Sequence, residues 1–486
     1  MKGELRKERL KKLEILKEKG INPFAQEAGR THTIEEVLKS FEKLESDATS
    51  VTIAGRIMSI REHGGSVFLD LYDGSGRMQA YLKQDDMDTD VFKLFNDTTD
   101  VGDFINVTGN VFKTKRGQQS VLVKDWKMLT KSLAPLPDKW HGIKDDELRY
   151  RQRHLDILMN PELKSMFEKK ARFWQEARWF LIQNGFTEVQ TPTLELTTGG
   201  AEANPFITHH DDFDLDVYLR ISVGELWQKR LMAAGLPRTF EIGRIYRNEG
   251  SSPEHLQEFT NIEFYAAYMS FDEGLDLVEK HFKHVILKVF DNKQKWDIRG
   301  HKVDFSGDWE KIDYTDTVKE MIGINVLRAS EADMKKKLAE LKVKYEGDNK
   351  KRLTDALWKY CRRQIAGPVW LVNHPKTVSP LSKEHMSDLG KTLRAQLLIA
   401  GSEMNNCYAE LNDPIEQKKR FLEQQALIDR GDNEAMMADY EFVEMLEQGM
   451  PPTFGASTVG ERFFSFLMNT NIRETQLFPL MKPKQD

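Results

Sequence analysis

The sequence predicts an α+β protein in which a small N-terminal β-barrel precedes a larger domain with an antiparallel sheet flanked by helices. Two observations support this fold class. Residues 51–128 contain five short runs in which apolar and polar residues alternate, as they do in half-buried strands. After residue 148, strand-like and helix-like runs alternate, yet no glycine-rich loop of the P-loop or dinucleotide-binding type opens a helix.

The barrel is predicted over residues 51–133, after a helical extension that covers residues 1–50. Turns such as DGSG and TKRG separate its five runs. Five short strands in so small a domain suit the oligonucleotide-binding (OB) fold, the five-stranded member of the small barrels. The first twenty residues carry eight Lys/Arg against four Glu, which suits either a solvated amphipathic helix or a contact with RNA.

The larger domain is predicted over residues 148–486, beyond a linker at residues 134–147 that contains two prolines. Within it, residues 291–368 are Lys-rich and weakly patterned, and they are predicted to be a helical insertion.

The first helix of the larger domain has the clearest boundaries in the sequence. It begins at an Asn-Pro pair, residues 160–161, and ends at Gly185, a residue type common just beyond helix C-termini. Apolar residues recur at helical spacing from Phe167 to Leu181. This apolar face suits either the core of the domain or the seam of a homodimer.

The composition is that of a globular chain: 40% of the 486 residues are hydrophobic and 30% are charged. No apolar run approaches the roughly 18 residues of a membrane span, and the first residues are charged, so a cytoplasmic protein is expected. Cys361 and Cys407 lack CxxC spacing, which favours neither a disulfide nor a zinc site. The net charge of −6 argues against a protein that coats nucleic acid indiscriminately.

One hairpin-like stretch, FEIGRIYRNEGSSPEHLQEFTNIEFYAAY at residues 240–268, concentrates ionisable groups around a turn. Arg247, Glu249 and His255 lie in the turn, and Phe259 begins the returning strand. The planar guanidinium of arginine binds phosphate through two charge-assisted hydrogen bonds, and an aromatic ring can stack on a nucleobase. The stretch therefore suits a nucleoside triphosphate, although cross-strand ion pairs explain it equally well.

Two further groups of residues carry weaker signals of chemistry. Glu403 and Glu410 flank an Asn pair, and a turn there would bring the carboxylates together. They would then suit magnesium with ATP or a cationic substrate, although two exposed acids on a sheet edge remain an alternative. Arg462 stands in the first turn of an apolar helix, where it is either a ligand-binding or a structural arginine.

The order of these features is specific: a helix and a strand with a proline, a hairpin with an arginine, then a strand and a helix with an arginine. In this order, and along nearly its whole length, the chain resembles the class II aminoacyl-tRNA synthetases, and among them the lysine-specific branch. The segments that carry the resemblance are LAPLPDKWHGIKDDELRYRQRHLDIL, GGAEANPFITHH, YRNEG, EFTNIEFYAAY, AELND and IRETQLFPLMKP. The resemblance implies an ATP-dependent ligase that forms lysyl-adenylate and transfers lysine to tRNA(Lys).

For ATP, the resemblance implies roles for residues of the hairpin and of the C-terminal helix. Arg247 would hold the α-phosphate and the lysine carboxylate, and Glu249 would read the adenine. His255 and Arg462 would hold the outer phosphates, with the adenine between Phe259 and Arg462. The two arginines are the implied catalytic residues.

For L-lysine, the resemblance implies a pocket lined by acids. The α-ammonium is assigned to Glu225 and Gly200, and the ε-ammonium to Glu410 and Tyr265. The implied supporting residues are Glu263 and Asn406.

Magnesium bound with ATP is the implied cofactor, with Glu403 and Glu410 as candidate ligands. Family members usually place a third acid seven residues before Glu403, whereas Gln396 stands there in this chain. A neutral amide is a weaker ligand for a hard cation, so the number of ions stays open. The usual alternating glycines before Arg462 are reduced here to two, in the run GASTVGER.

The N-terminal barrel resembles the anticodon-binding domain of the family. Phe68 would stack on an anticodon base, and Arg61 and Gln79 would contact base edges. Phe68 as a residue of the barrel core is the alternative. Gln118 stands where the barrel often has a glutamate.

Three rival functions stay open beside the ligase. A related enzyme could pass lysine to an acceptor other than tRNA, although such enzymes usually lack the barrel. A catalytically inactive RNA-binding relative would not need Arg247, Glu403 and Arg462 together. An aspartyl or asparaginyl enzyme would need a cation where Glu410 stands.

Overall fold

The computed structural model describes residues 2–137, 145–201, 203–431 and 435–483, in two units, Met1–Met159 and Asn160–Asp486. Of the predicted linker, residues 138–144 lie outside the described part of the chain.

The first unit contains the closed five-stranded barrel that the sequence predicts. Its strands are β1 (Ser50–His63), β2 (Ser66–Tyr72), β3 (Arg77–Lys83), β4 (Phe104–Lys113) and β5 (Gln119–Thr130). They close in the order β1-β2-β3-β5-β4, with antiparallel pairs except for the parallel pair β3–β5. All five predicted runs are strands, and the OB-fold prediction is confirmed.

Six described helices belong to the first unit together with this barrel. They are α1 (Lys2–Glu18), α2 (Ile34–Lys39), α3 (Phe41–Ser46), α4 (Thr89–Thr98), α5 (Asp146–Arg151) and α6 (Arg153–Met159). A short 3₁₀ helix covers Gln84–Asp86. The sequence did not predict α4, and it assigned α5 and α6 to the larger domain. Asp88 caps α4 by accepting from the backbone N–H groups of Asp90 and Val91.

The second unit is built on a nine-stranded sheet. Fourteen strands are described in the unit, of which β7, β8 and β9 form a separate three-stranded sheet and β12 and β13 a separate hairpin. The fourteen are β6 (Thr187–Glu188), β7 (Leu194–Glu195), β8 (Ile207–His210), β9 (Leu215–Leu219), β10 (Arg238–Tyr246), β11 (Glu258–Ala267), β12 (Lys295–Ile298), β13 (His301–Asp304), β14 (Glu310–Asp313), β15 (Val369–Val372), β16 (Arg394–Ile399), β17 (Ser402–Glu403), β18 (Asn405–Ala409) and β19 (Thr453–Thr458). The main sheet has the order β14-β15-β16-β18-β19-β11-β10-β6, and β17 pairs with β16. Most pairs are antiparallel, as predicted; β6–β10 and β14–β15 are parallel.

Nine described helices accompany this sheet. They are α7 (Pro161–Gln183), α8 (Glu225–Ala233), α9 (Phe271–Val289), α10 (Tyr314–Ile322), α11 (Glu331–Glu340), α12 (Lys350–Arg362), α13 (Pro414–Ile428), α14 (Tyr440–Gln448) and α15 (Gly460–Leu467). A 3₁₀ turn covers Lys376–Val378. In the described part of the chain, none of the helices combines the length and the apolarity needed to cross a bilayer.

The helix α7 begins and ends where the sequence predicts. The side chain of Asn160 accepts from the first free N–H groups, and Pro161 occupies the first turn. Phe173 and Leu181 are buried inside the unit, whereas Trp179 is 53% exposed. The helix therefore contributes to the core and also keeps an apolar side chain at the surface.

The segment 291–368 differs from the helical insertion that the sequence predicted. It contains three helices, but also the hairpin β12–β13 and the strand β14, which pairs with β15 at the edge of the main sheet. Strands of four residues are too short to give a recognisable alternation, and their pairing depends on the partner strand. The three helices share a buried cluster with Tyr314, Leu353 and Trp358.

Candidate active site

The hairpin of β10 and β11 holds a charged turn where the sequence predicts one. The strands are antiparallel, and Tyr246 pairs with Glu258 at their open end. The backbone N–H of Arg247 donates to the carbonyl of Gln257 at 2.8 Å, which closes the turn. Residues 248–256 therefore project beyond the sheet on a fixed base.

Arg247 lies half-buried at the start of this turn. Its Nη2 donates to the carbonyl of Ile221 at 3.3 Å, and its guanidinium carbon lies 5.5 Å from the centre of the Phe259 ring. Its Nε is buried and has no hydrogen-bond partner in the described part of the chain. Burial lowers the pKa of Arg247, but an arginine stays charged at neutral pH. A buried cation with an unused donor suits an anionic ligand.

Arg462 joins α15 to two segments that are distant in sequence. Its Nε donates to the carbonyl of Glu254 at 3.3 Å, and its Nη1 donates to the carbonyl of Glu403 at 2.9 Å. Burial lowers the pKa of Arg462 to about 10, so the side chain is still a cation at pH 7. The arginine is thus held in place through backbone carbonyls.

His255 and Glu249 lie in the same hairpin turn. The His255 Nδ1 is 2.7 Å from the Ser252 hydroxyl. Desolvation, and then the charge of Arg462, lower the pKa of His255 to about 4, so the imidazole is neutral at pH 7. Glu249 is half-buried, and its carbonyl accepts from the side chain of Gln257 at 2.8 Å.

The sequence did not single out Glu254, which lies between these groups. Its carboxylate pairs with Arg299 and accepts a hydrogen bond from the Ser402 hydroxyl at 2.8 Å. Burial alone would raise the pKa of Glu254, but Ser402 and Arg299 hold it below its usual value. The turn is therefore anchored by an ionised carboxylate.

Five buried side chains form what we call the acid pocket. They are Glu225, Lys229, Glu263, Tyr265 and Glu410, and none of them exposes more than 3% of its surface. Glu225 begins α8, and Glu410 follows β18. Glu263 and Tyr265 are two residues apart in β11, so their side chains point to the same face of the sheet. The structure thus brings together four of the residues that the sequence assigned to lysine.

Glu263 is the most completely hydrogen-bonded member of the acid pocket. Its Oε1 accepts from the backbone N–H of Val223 (2.8 Å) and from the side chains of Asn261 (3.2 Å) and Ser457 (3.3 Å). Its Oε2 accepts from the hydroxyl of Tyr265 at 3.2 Å. Burial and the neighbouring carboxylate at the start of α8 raise the pKa of Glu263 to about 7.

Lys229 is the member of the acid pocket that sequence reasoning missed. Its Nζ lies 2.8 Å from Oε1 of Glu225 and 2.6 Å from Oε2 of Glu410. Although burial opposes it, these two carboxylates raise the pKa of Lys229, so the ammonium is charged. The signal in the sequence was the four-residue spacing from Glu225, which places both side chains on one helix face.

Two glycines bring the backbone close to the acid pocket. Gly200 has φ +84°, and a Cβ there would lie 2.8 Å from Oε2 of Glu225. A Cβ at Gly455 would overlap Oε1 of Glu410 and the ring of Tyr265. Each glycine therefore lets a carboxylate oxygen that does not contact Lys229 pack closely against the backbone.

The side chain of Glu403 is held by neighbours on two elements, α12 and β16. Its Oε1 accepts from the Trp358 indole at 2.9 Å, and its Oε2 accepts from the Gln396 amide at 3.0 Å. The same amide donates to Asn406 at 2.9 Å. Burial would raise the pKa of Glu403, but Arg362, whose Nε lies 3.7 Å away, helps to hold it below its usual value.

The predicted turn at the Asn pair is wrong. Residues 405–406 lie in β18, and the chain turns instead at Ala400 and Gly401, whose φ values are +47° and +74°. Glu403 and Glu410 consequently have different partners. Within the described residues, no group of three or more His, Cys, Asp or Glu side chains could hold a metal ion.

The candidate nucleic-acid site lies on the barrel of the first unit. Arg61, Gln79 and Gln118 help to line a cavity of about 490 Å³. Phe68 pairs with Arg61 across β1 and β2, and its ring stacks on Tyr81 with 4.6 Å between ring centres. Phe68 is half-buried while both of its neighbours in β2 are buried, so it points away from the barrel core. The alternative that Phe68 is a core residue is wrong.

Comparison with protein families matches both units. Residues 145–482 match the family described as tRNA synthetases class II (D, K and N), and residues 51–129 match the OB-fold nucleic acid binding domain. The chain therefore belongs to the class II tRNA synthetases of the D, K and N group.

Curated relatives within this class are similar along the whole chain. A lysine–tRNA ligase of Thermosipho africanus is 40% identical over 488 residues, which are 99% of this chain and 97% of the relative. Another, from Thermosipho melanesiensis, is 41% identical, and one from Thermotoga maritima is 39% identical; each alignment covers 100% of this chain and 97% of the relative.

Proposed function

We propose that this protein is a lysine–tRNA ligase. It would activate L-lysine with ATP to lysyl-adenylate and pyrophosphate, and then transfer lysine to the 3′-terminal adenosine of tRNA(Lys). The observation that carries the proposal is the acid pocket, in which three buried carboxylates lie in the same unit as the half-buried Arg247. Free lysine has two ammonium groups and one carboxylate, and a neutral amino acid would leave buried charge unpaired.

The activation step needs position and positive charge more than covalent chemistry. The lysine carboxylate attacks the α-phosphorus in line, and the bond to the pyrophosphate oxygen breaks. We assign Arg247 to the α-phosphate and the lysine carboxylate, and Arg462 to the outer phosphates, where negative charge accumulates. His255 would contact these phosphates as a neutral donor, because its pKa is about 4.

The adenine would lie between Phe259 and Arg462, with Glu249 reading its edge. The half-buried position of Glu249 in the hairpin turn supports its part of this assignment. Phe259 is 6% exposed, and the guanidinium that lies over its ring is that of Arg247. Stacking on an aromatic ring and a guanidinium would hold the base without a covalent step.

The lysine substrate would bind at the free carboxylate oxygens of the acid pocket. Glu225 and Gly200 would hold the α-ammonium, and Glu410 and Tyr265 would hold the ε-ammonium. The supporting residues would be Glu263 and Asn406. Oε2 of Glu225 and Oε1 of Glu410, the oxygens that do not contact Lys229, support this assignment because they remain acceptors for an ammonium group.

Mg²⁺ carried by ATP is the cofactor that we propose, with Glu403 as its protein ligand. Such ions are held by one or two carboxylates together with substrate phosphates, and they neutralise phosphate charge. The ionised Glu403 fits this role. Glu410 does not, because its carboxylate is buried against Lys229, and Gln396 offers only an amide. The residues present thus fit an ion bound mainly through the nucleotide.

The barrel would bind the anticodon of tRNA(Lys) through Arg61, Phe68 and Gln79. The outward ring of Phe68 next to Arg61 supports stacking on an unpaired base together with edge contacts. Because charged tRNA feeds protein synthesis, we expect the enzyme in the cytoplasm.

A homodimer is proposed from the surface of α7. Trp179 and Ile182 are 53% and 40% exposed on this helix. The two side chains are three positions apart and therefore adjoin on one helix face; a contiguous exposed apolar patch marks an interaction site, and a twofold partner is the commonest occupant.

The test is ATP–pyrophosphate exchange with each amino acid, followed by charging of total tRNA. Exchange should depend on lysine, and Glu410→Gln should raise the KM for lysine, because breaking one side of a buried charge pair costs roughly 2–5 kcal/mol. Glu441→Gln is the matched control, since that side chain is exposed and pairs only loosely, at 3.6 Å, with Arg230. Exchange with aspartate but not lysine, or exchange without tRNA charging, would contradict the proposal.

A further inference from the structure

The acid pocket contains an ammonium group of the protein itself. Lys229 exposes 1% of its surface, and its Nζ contacts one oxygen of Glu225 and one oxygen of Glu410. The rings of Tyr265 and Phe442 lie 5.9 Å from the same Nζ. A buried charge with so many ordered neighbours has little freedom to move.

This ammonium limits the distance between the two carboxylates. Because the ion pairs measure 2.8 and 2.6 Å and share one nitrogen, Glu225 Oε1 and Glu410 Oε2 cannot be more than 5.4 Å apart. The two residues belong to different segments, the start of α8 and the end of β18, so backbone pairing does not fix their spacing. Lys229 is the side chain that links them directly.

The two carboxylates keep one oxygen each outside this link. Oε2 of Glu225 lies beside Gly200, and Oε1 of Glu410 lies beside Gly455. Both oxygens of Glu410 are buried without a hydrogen bond among the described residues, and Oε2 is the one that lies in ion-pair contact with Lys229. Each carboxylate therefore has one oxygen in contact with Lys229 and the other oxygen beside a glycine.

The charges of the pocket agree with this arrangement. Burial raises the pKa of Glu263 to about 7 and that of Glu410 to about 8, so the cationic ammonium groups of a bound diamino acid would favour the ionised form of both. With Glu225, Glu263 and Glu410 ionised, Lys229 leaves an excess of two negative charges. Free lysine brings two ammonium groups, one for each remaining charge. Without Lys229, the three buried carboxylates would repel one another and the acid pocket would contain no cation of its own.

We propose that Lys229 is a positioning residue that sets the length of the accepted diamino acid, because its ammonium holds Glu225 and Glu410 at a fixed spacing. This inference rests on the proposed function. A pocket with fixed ends distinguishes lysine from ornithine, which is one methylene shorter. One methylene is worth about 10- to 200-fold in kcat/KM in a well-ordered pocket.

The experiment compares lysine with ornithine in ATP–pyrophosphate exchange for wild type and Lys229→Met. The variant removes the ammonium and keeps a side chain of similar length. We expect the lysine-to-ornithine ratio of kcat/KM to fall ten-fold or more, while the KM for ATP stays within about two-fold. An unchanged lysine-to-ornithine ratio overturns the inference. A parallel rise in the KM for lysine and the KM for ATP also overturns it, because it would indicate general damage to the active site.

Lys131→Met is the matched control, because Lys131 is also buried and also bridges two carboxylates, Asp100 (2.5 Å) and Asp103 (2.7 Å), but in the barrel unit. The lysine-to-ornithine ratio of kcat/KM in Lys131→Met should equal that of wild type. If Lys229→Met does not fold, the double variant with Glu263→Gln restores the charge excess of two. A lower ratio in that variant supports the inference, and a wild-type ratio overturns it.

Exchange measured on the wild-type protein distinguishes failure of the proposed function from failure of the proposed role of Lys229. Absence of lysine-dependent exchange in wild type refutes the proposed function and the inference together. Lysine-dependent exchange with an unchanged ratio in the variants refutes the role of Lys229 alone.

Discussion

The outward-facing ring of Phe68 allows anticodon binding to be separated from catalysis. If the ring stacks on an anticodon base, Phe68→Ala should lose about 1–3 kcal/mol of tRNA affinity. This loss corresponds to roughly a 5- to 150-fold rise in Kd. Exchange of ATP with pyrophosphate, which needs no tRNA, should stay at the wild-type level.

The structure also limits how much stability the same substitution removes. Phe68 is half-buried and its principal ring contact is Tyr81, at 4.6 Å between ring centres. Such a pair contributes about 0.5–1.5 kcal/mol, whereas removal of a phenylalanine from a core costs roughly 3–5 kcal/mol. The barrel should therefore remain folded.

Three measurements on the full chain test this reasoning: tRNA charging at varied tRNA, tRNA-independent exchange, and thermal unfolding. Phe24→Ala is the matched control, because Phe24 is 49% exposed in the same unit and pairs with Thr130 instead. An unchanged KM for tRNA would refute the stacking role of Phe68. A charging defect that appears only with a large fall in melting temperature would refute it as well.

Two further predictions concern stability and assembly. Burial lowers the pKa of His281 to about 4, below its unfolded value, so falling pH should destabilise the fold between about pH 6.5 and 4, by up to about 1.4 kcal/mol per pH unit. His281→Phe should reduce the slope of unfolding free energy against pH by this amount. Equal slopes for wild type and the variant would contradict the prediction. Light scattering at micromolar concentration should give twice the 56.4 kDa of one chain, and Trp179→Glu should shift the protein toward that single-chain mass. A wild-type mass of 56.4 kDa would exclude the dimer.

Local patterns predicted the parts of the fold that are defined by local physics. The barrel strands β2 and β3 alternate strictly in burial, and α7 has both of its boundary residues in the sequence. The position of Arg247 beside Phe259 also follows from sequence, because a hairpin brings the ends of its two strands together. Regular elements and the contacts between their immediate neighbours could therefore be predicted from the sequence.

Contacts between segments that are distant along the chain could not be predicted from one sequence. Nothing near Glu410 indicates that its partner is Lys229, because 181 residues separate them and the pairing depends on the sheet order. The separation of Glu403 from Glu410 was missed for a related reason. The turn is set by positive φ at Ala400 and Gly401, whereas the Asn pair looked like the stronger turn signal.

The register of the hairpin has a consequence for insertions and deletions during evolution. Glu263 faces Glu241 in β10 and Ser457 in β19, so its side-chain direction is fixed from both sides. One residue inserted into β11 before Glu263 would turn it and Tyr265 to the opposite face of the sheet, whatever the composition of the segment. Length should therefore be strictly constant in this strand.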